Sequence, residues 1–140
     1  MKTLTDGLAV ASQISPADVA GIAAAGYRAI ICNRPDGEAA DQPSFAEIAE
    51  AAAAVGIACH NLPIVPGQLS DADAETFGKL LEELPAPVLA FCRTGTRSTT
   101  LWCLAKAGSA PTVEILGTAA SAGYDLSALT GRIEALAAQR

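Results

Sequence analysis

The chain has few aromatic residues, one histidine and no long hydrophobic run. Only 4% of its 140 residues are aromatic although 51% are hydrophobic, because much of the apolar content is alanine. No apolar stretch reaches the length of a bilayer span, and Asp6 interrupts the N-terminus before the core of a signal peptide could form. These absences favour a soluble, cytoplasmic protein with no membrane partner.

Positive charge is scarce as well. The chain has 9 Lys and Arg residues against 15 Asp and Glu residues, which gives a net charge of −6. A nucleic-acid partner would require a basic surface to neutralise phosphates, so the composition argues against one. An anionic substrate would instead have to be held by local arginines. The length predicts one domain, residues 1–140, with a substantial buried core.

The four cysteines do not show the spacing of zinc ligands. The chain has no Cys-x-x-Cys pair and only one histidine, so we expect no metal. Three of the four cysteines lie inside apolar stretches and no secretory signal precedes them, which predicts free thiols rather than disulfides. The cysteines are Cys32, Cys59, Cys92 and Cys103.

Short apolar runs alternate with amphipathic stretches along the chain. The expected strands are residues 8–12, 29–32, 57–64 and 88–91. Helices are expected after Ser15, Ser44 and Ser70, after the loop at 92–95, and around 111–119 and 126–138. Strands separated by helices predict an α/β fold with a mainly parallel sheet flanked by helices. In such sheets, ligands bind beyond the carboxyl ends of the strands.

Residues 87–98 contain the clearest functional signal. A buried strand stops at Cys92, a short polar loop with Gly95 follows, and Arg97 and Ser98 begin a helix. The N–H groups of such a loop and of a helix N-terminus form an anion cradle. The helix dipole and nearby guanidiniums would stabilise a thiolate there. We predict Cys92 and Arg97 as catalytic residues. The expected substrate-binding residues around them are Arg93, Thr94, Gly95, Thr96 and Ser98.

Arg34 extends this prediction to a second strand end. It follows the expected strand 29–32, so it is a candidate to help hold an anion. The alternatives are that Arg34 is a surface charge and that Cys92 is a buried structural thiol. A redox-sensing thiolate at Cys92 is a further alternative.

The segment from Cys92 to Ser98, with the preceding Val88 to Phe91, resembles a bacterial family of small phosphatase-like domains. That family also occurs fused to beta-lactamase-like hydrolases and persulfide dioxygenases. Residues 33–38 and 62–64 resemble other shared segments of the family, and the similarity spans roughly residues 3–110. The resemblance implies the fold of cysteine-dependent and dual-specificity phosphatases.

Three departures from the cysteine-phosphatase pattern bear on the chemistry. Phe91 stands where those enzymes typically have histidine, and four residues separate Cys92 from Arg97, one fewer than is typical. The shorter loop is similar to that of rhodaneses. An acid is also missing soon after Pro63, which leaves Asp36 and Asp71 as candidate acids.

These departures favour sulfur transfer, because sulfite leaves thiosulfate without help from an acid. The predicted enzyme is a rhodanese-like sulfurtransferase, in which a Cys92 persulfide carries sulfur from thiosulfate or a persulfide to a thiol acceptor such as glutathione. No cofactor is required. One alternative is a phosphatase of the tyrosine or dual-specificity type that forms a phosphocysteine at Cys92. Another is a non-catalytic domain that binds an anion or a partner, and the sequence leaves the oligomeric state open.

Overall fold

The computed structural model describes all 140 residues and contains a five-stranded sheet with helices on both faces. The strands are β1 (Lys2–Thr5), β2 (Leu8–Ala11), β3 (Ala29–Cys32), β4 (Ala58–Asn61) and β5 (Val88–Phe91). The helices are α1 (Val19–Ala24), α2 (Phe45–Ala54), α3 (Asp71–Glu83), α4 (Thr96–Ala105), α5 (Thr112–Ser121) and α6 (Thr130–Gln139). Short 3-10 turns, Pro16–Asp18 and Ser127–Leu129, lead into α1 and α6. None of the helices is both long and apolar enough to cross a membrane.

The strand order is β1-β2-β5-β3-β4, with β1 antiparallel to β2 and all other pairs parallel. This arrangement confirms the predicted α/β fold with a mainly parallel sheet. The central strand is β5, in which Phe91 is paired with Ala11 on one side and with Cys32 on the other. Because these strands are parallel neighbours, the loops that follow β2, β3 and β5 meet beyond the carboxyl ends of the strands.

The sheet is buried on both faces because its strands alternate between two apolar clusters. Val10, Ile31 and Ala90 belong to the larger cluster, which also contains residues of α3, α4, α5 and α6. Ile30 and Leu89 belong to the smaller one, with residues of α1 and α2. This packing fixes the positions of the strand ends.

The structure differs from the sequence prediction at both edges of the sheet. The edge strand β1 was not expected, and the predicted strand 57–64 forms a strand only over Ala58–Asn61. Pro63 has no N–H to donate, which favours an exit from the strand there. The backbone N–H groups of Leu62 and Ile64 still donate to Cys32 O and Asn33 O, both at 2.9 Å. The exit segment thus stays attached to the end of β3.

Candidate active site

Cys92 lies at the carboxyl end of β5 and has no exposed surface. Its backbone N–H donates to Ala11 O (3.3 Å), and its Sγ accepts the N–H of Gly95 (3.1 Å). Gly95 has φ +92°, a left-handed conformation that lets this short loop turn back over the sulfur before α4 begins at Thr96. The Cys92 side chain is therefore shielded from solvent in this structure.

Other backbone amides around Cys92 are free to bind an anion. Within the protein they have no acceptor, and they belong to Arg93, Thr94, Arg97 and Ser98. Two of these amides lie in the first turn of α4, where the helix dipole adds partial positive charge. The segment thus has unpaired N–H donors where the anion cradle is predicted, and anion binding there stays a prediction.

The Arg97 guanidinium is held in a fixed orientation by two acceptors. Its Nη1 donates to Ile64 O (2.8 Å), while Nη1 and Nη2 donate to the two carboxylate oxygens of Glu38, each at 2.8 Å. These bonds occupy the edge between the two terminal nitrogens and leave the Nε–Nη2 edge free. Hydrogen bonding to Glu38 and the nearby charge of Cys92 raise the pKa of Arg97. Arg97 is therefore a fixed cation with a free bidentate edge.

Glu38 also binds Arg34, and this connects the two strand ends. Arg34 is buried; its Nε donates to Glu38 Oε1 (2.9 Å) and its Nη1 donates to Gln13 Oε1 (3.1 Å). Hydrogen bonds from Arg97 and Arg34 hold the pKa of Glu38 below its ordinary value. Sequence reasoning missed Glu38, although its position four residues after Arg34 offered a signal for the ion pair between these two side chains.

The structure gives Ser98 a role in support of the loop. Ser98 is fully buried, and its Oγ donates to Asn33 Oδ1 (2.8 Å). The Nδ2 of Asn33 donates in turn to Leu62 O (3.0 Å). These bonds connect the start of α4 to the exits of β3 and β4, so the Ser98 hydroxyl is already engaged within the protein.

The remaining loop side chains are exposed. Thr94 Oγ1 donates to Thr96 Oγ1 (3.0 Å), which stiffens the turn before α4. Arg93 is exposed, and its guanidinium has no hydrogen-bond partner within the protein. This cation is free to meet a substrate at the surface.

Both candidate acids are engaged away from Cys92. Asp36 Oδ1 accepts the backbone N–H of Phe45 (2.8 Å) at the start of α2. Asp71 forms an ion pair with Arg132 of α6, with 2.8 Å between Nη2 and Oδ1. Neither carboxylate hydrogen-bonds to the Cys92 loop. The protein has no group of three or more His, Cys, Asp or Glu side chains suited to hold a metal ion.

The other three cysteines are free thiols in apolar surroundings. Burial raises the pKa of Cys32, Cys59 and Cys103 to about 11 in each case. These groups are therefore protonated at neutral pH and weakly nucleophilic.

Comparisons in sequence point to one family. Residues 1–109 match the family described as "Beta-lactamase hydrolase-like protein, phosphatase-like domain". A beta-lactamase hydrolase-like protein of Agrobacterium fabrum is 33% identical over 133 residues, covering 94% of this chain and 31% of the relative. One from Xylella fastidiosa is 29% identical over 138 residues, covering 97% and 32%. The chain thus spans about a third of the length of these relatives.

Solved structures agree with the family match. A candidate phosphatase from Neisseria meningitidis is 36% identical, with a TM-score of 0.87 and 96% of each chain covered. Tk-PTP in its active form is 17% identical, with a TM-score of 0.76 and coverage of 99% of this chain and 96% of that one. Pseudomonas aeruginosa TpbA bound to phosphotyrosine is 14% identical, with a TM-score of 0.59 and coverage of 97% and 88%.

The sulfurtransferase prediction is wrong. The family match and the similar structures point to phosphatase-like proteins, and neither a rhodanese-type activity nor a thiol acceptor such as glutathione has support. The prediction depended on a loop that is one residue short and on the absence of an acid soon after Pro63. In the structure, the backbone N–H groups of Arg93, Thr94, Arg97 and Ser98 have no acceptor, so the shorter loop does not exclude phosphate. The chain belongs to the family of phosphatase-like domains of beta-lactamase hydrolase-like proteins.

Proposed function

We propose that the chain hydrolyses phosphate monoesters through a phosphocysteine at Cys92. The observation that carries this proposal is the arrangement around the sulfur. Cys92 Sγ lies within a loop of unpaired amides, beside an arginine whose free edge has the spacing of two phosphate oxygens. The family assignment supports the same chemistry.

The reaction would proceed in two displacements. The Cys92 thiolate attacks phosphorus and forms an S–P bond as the P–O bond to the leaving group breaks. Loop amides and the Nε–Nη2 edge of Arg97 bind the three non-bridging oxygens as charge develops on them. Water then attacks the phosphocysteine, releasing inorganic phosphate and restoring the thiolate.

The arginines have different tasks in this scheme. Arg97 binds the phosphoryl oxygens, and exposed Arg93 attracts the anionic substrate at the mouth of the loop. Arg34 is buried against Glu38 and Gln13, so it acts through Glu38 by keeping that carboxylate ionised and in place. Glu38 in turn positions Arg97. We propose that four further residues maintain the conformation of the loop: Thr94, Gly95, Thr96 and Ser98.

The proposed substrates have good leaving groups. Asp36 and Asp71 are bound elsewhere, and the lowered pKa of Glu38 keeps it ionised at neutral pH, so none of the three is set to protonate a departing oxygen. Phenols leave without this help far more readily than alcohols do. Aryl phosphates, including phosphotyrosine, are therefore the proposed substrate class rather than alkyl phosphates.

A series of aryl phosphates tests this proposal. We expect kcat/KM to fall by roughly tenfold for each unit by which the pKa of the leaving phenol rises, since no acid offsets the charge on the leaving oxygen. Steady-state rates for five or more phenols and one alkyl phosphate give the slope. A flat series would show that a proton donor operates, and no hydrolysis of any member would refute the phosphatase function.

Substitution of Glu38 with glutamine tests its role in positioning Arg97. The amide keeps the size of the side chain but cannot accept two bonds from Arg97, so we expect kcat/KM to fall by roughly tenfold. Stability should fall as well. The pKa of Glu38 in the folded protein lies below its ordinary value of 4.5. The ion pairs of Glu38 therefore contribute their full stabilisation at pH values above 4.5. The contribution is lost as the pH falls through the folded value.

Urea unfolding at several pH values measures this contribution. The variant should be less stable than the wild type at pH 7, and the difference should shrink under acidic conditions. Glu50→Gln, at an exposed position of α2, is the matched control and should behave like the wild type. A stability difference between Glu38→Gln and the wild type that does not change with pH would contradict the proposed ion pairs.

We further propose that residues 1–140 act as one catalytic domain. Elements after residue 109, beyond the family match, complete the larger apolar cluster and contact the Cys92 loop. The unpaired cysteines fit the reducing cytoplasm, which is the proposed location.

A further inference from the structure

The Tyr124 hydroxyl reaches the active-site loop from the far end of the chain. It donates to Thr94 O at 3.0 Å. A Cβ added to Gly95 would collide with this hydroxyl and lie 2.9 Å from Cζ of the same ring. Tyr124 therefore packs directly on the Thr94–Gly95 peptide, although it lies outside the residues that match the family.

Tyr124 is itself held in place by the end of α5. Gly123 adopts φ +99° and its N–H donates to Ala120 O (2.9 Å), while the Tyr124 N–H donates to Ala119 O (2.9 Å). These bonds close the C-terminus of the helix with a left-handed glycine. The ring packs against the larger apolar cluster. The hydroxyl of Tyr124 is thus held in position by the hydrogen-bonded C-terminal end of α5.

The Thr94–Gly95 peptide is held at both of its polar atoms. In a trans peptide the C=O and N–H point in opposite directions. Here the carbonyl oxygen accepts from Tyr124, and the N–H donates to Cys92 Sγ at 3.1 Å. If the peptide flipped, the carbonyl dipole would face the sulfur in place of the N–H.

Glycine makes such a flip easy. Gly95 must lack a side chain to admit the Tyr124 hydroxyl, and the same lack leaves its φ angle poorly restricted. The Gly95 carbonyl is fixed by the backbone N–H of Thr99 (3.0 Å) and by its Oγ1 (2.8 Å), but these bonds do not hold the preceding peptide. Tyr124 supplies that restraint.

We propose that Tyr124 is a positioning residue that keeps the Thr94–Gly95 peptide turned with its N–H toward Cys92. The inference relies on the proposed function only in taking Cys92 as the reactive thiol. Burial and, to a smaller extent, the charge of Cys92 raise the pKa of Tyr124, so its hydroxyl keeps the proton that it donates to Thr94 O. Tyr124 is not itself a catalytic residue.

The test compares Tyr124→Phe with the wild type by the pH dependence of Cys92 alkylation with iodoacetamide. The substitution keeps the packing of the ring and removes only the hydrogen bond. We expect the profile to move to higher pH by roughly half a unit to one unit, because one lost hydrogen bond changes an equilibrium by about threefold to tenfold. Protection of Cys92 by inorganic phosphate should weaken by a similar factor.

Two controls accompany this measurement. Tyr27→Phe changes a tyrosine that packs against the other apolar cluster and should retain the wild-type profile. Mass spectrometry resolves the alkylated positions, and the three thiols with a pKa of about 11 serve as references for intact folding.

Either of two results would overturn the proposal. An unchanged profile in Tyr124→Phe would show that the hydroxyl does not orient the peptide. Faster alkylation at every pH would show that Tyr124 only covers the sulfur. Neither readout requires turnover, so both are independent of whether the chain hydrolyses phosphate esters.

Discussion

Substitution of Cys92 with serine is expected to lower kcat/KM for aryl phosphates by roughly a thousandfold or more. The serine hydroxyl is a far weaker nucleophile than a thiolate, and no side chain near it is set to remove its proton. The amides of the loop and the free edge of Arg97 remain in place, since Cys92 contributes only an acceptor to the loop. Phosphate binding should therefore survive the loss of turnover.

Cys59→Ser is the matched control, because Cys59 is a half-buried thiol on β4. It should retain wild-type activity. Phosphate affinity, measured by calorimetry, separates a lost nucleophile from a collapsed loop. Hydrolysis by Cys92→Ser at a rate close to that of the wild type would show that another group is the nucleophile.

Substitution of Arg97 with lysine is expected to reduce kcat/KM by roughly a hundredfold or more. Lysine keeps a positive charge for Glu38 but cannot bind Glu38, Ile64 and two phosphoryl oxygens at once. The guanidinium does this because its planar fork offers separate edges to the protein and to the substrate. Most of the loss should appear in kcat, since charge on the oxygens grows in the transition state.

Arg28→Lys provides the control for this substitution. Arg28 is exposed and directly precedes β3. It therefore lies at the amino ends of the strands, whereas the candidate site lies at their carboxyl ends. The kinetic constants of Arg28→Lys should match those of the wild type. If Arg97→Lys kept nearly full kcat, the assignment of the Nε–Nη2 edge to the phosphoryl group would fail.

Local sequence signals were sufficient to predict most of the helices and strands of the fold. The Ser44–Glu47 and Ser70–Asp73 pairs predict helix starts, and both capping boxes are present at α2 and α3. The edge strand β1 was missed because Lys2 and Thr3 are exposed and the strand has little apolar patterning. Its pairing with β2 is a local hairpin, and the Asp6-Gly7 turn between the two strands is a hairpin signal that the strand prediction did not use.

The geometry of the candidate site was predictable only where its residues are close in sequence. The strand, cysteine, glycine and helix start of the Cys92 loop lie within a few residues of one another, so their pattern is visible. Glu38 is 59 residues from Arg97, and Tyr124 is 30 residues from Thr94. Nothing in the sequence near Tyr124 indicates that the end of α5 meets this loop.

The error about sulfur transfer has a physical explanation. Loop length was used to infer how many N–H groups face the anion, but the count depends on backbone conformation as well as on residue number. Gly95 at φ +92° directs its N–H inward, and the first amides of α4 add further donors. A loop with four residues between Cys92 and Arg97 therefore still offers several unpaired N–H donors, which is what the proposed anion binding requires.

The most direct test of the account is rapid-quench mass spectrometry of the protein mixed with 4-nitrophenyl phosphate. Because no carboxylate is positioned to activate water, hydrolysis of the phosphocysteine should be slower than its formation, and the intermediate should accumulate. We predict one phosphoryl group on the peptide that contains Cys92, formed in a burst together with 4-nitrophenol, and no such adduct in Cys92→Ser. Turnover without a burst and without a phosphoryl group on Cys92, or with the adduct on a different residue, would contradict the account.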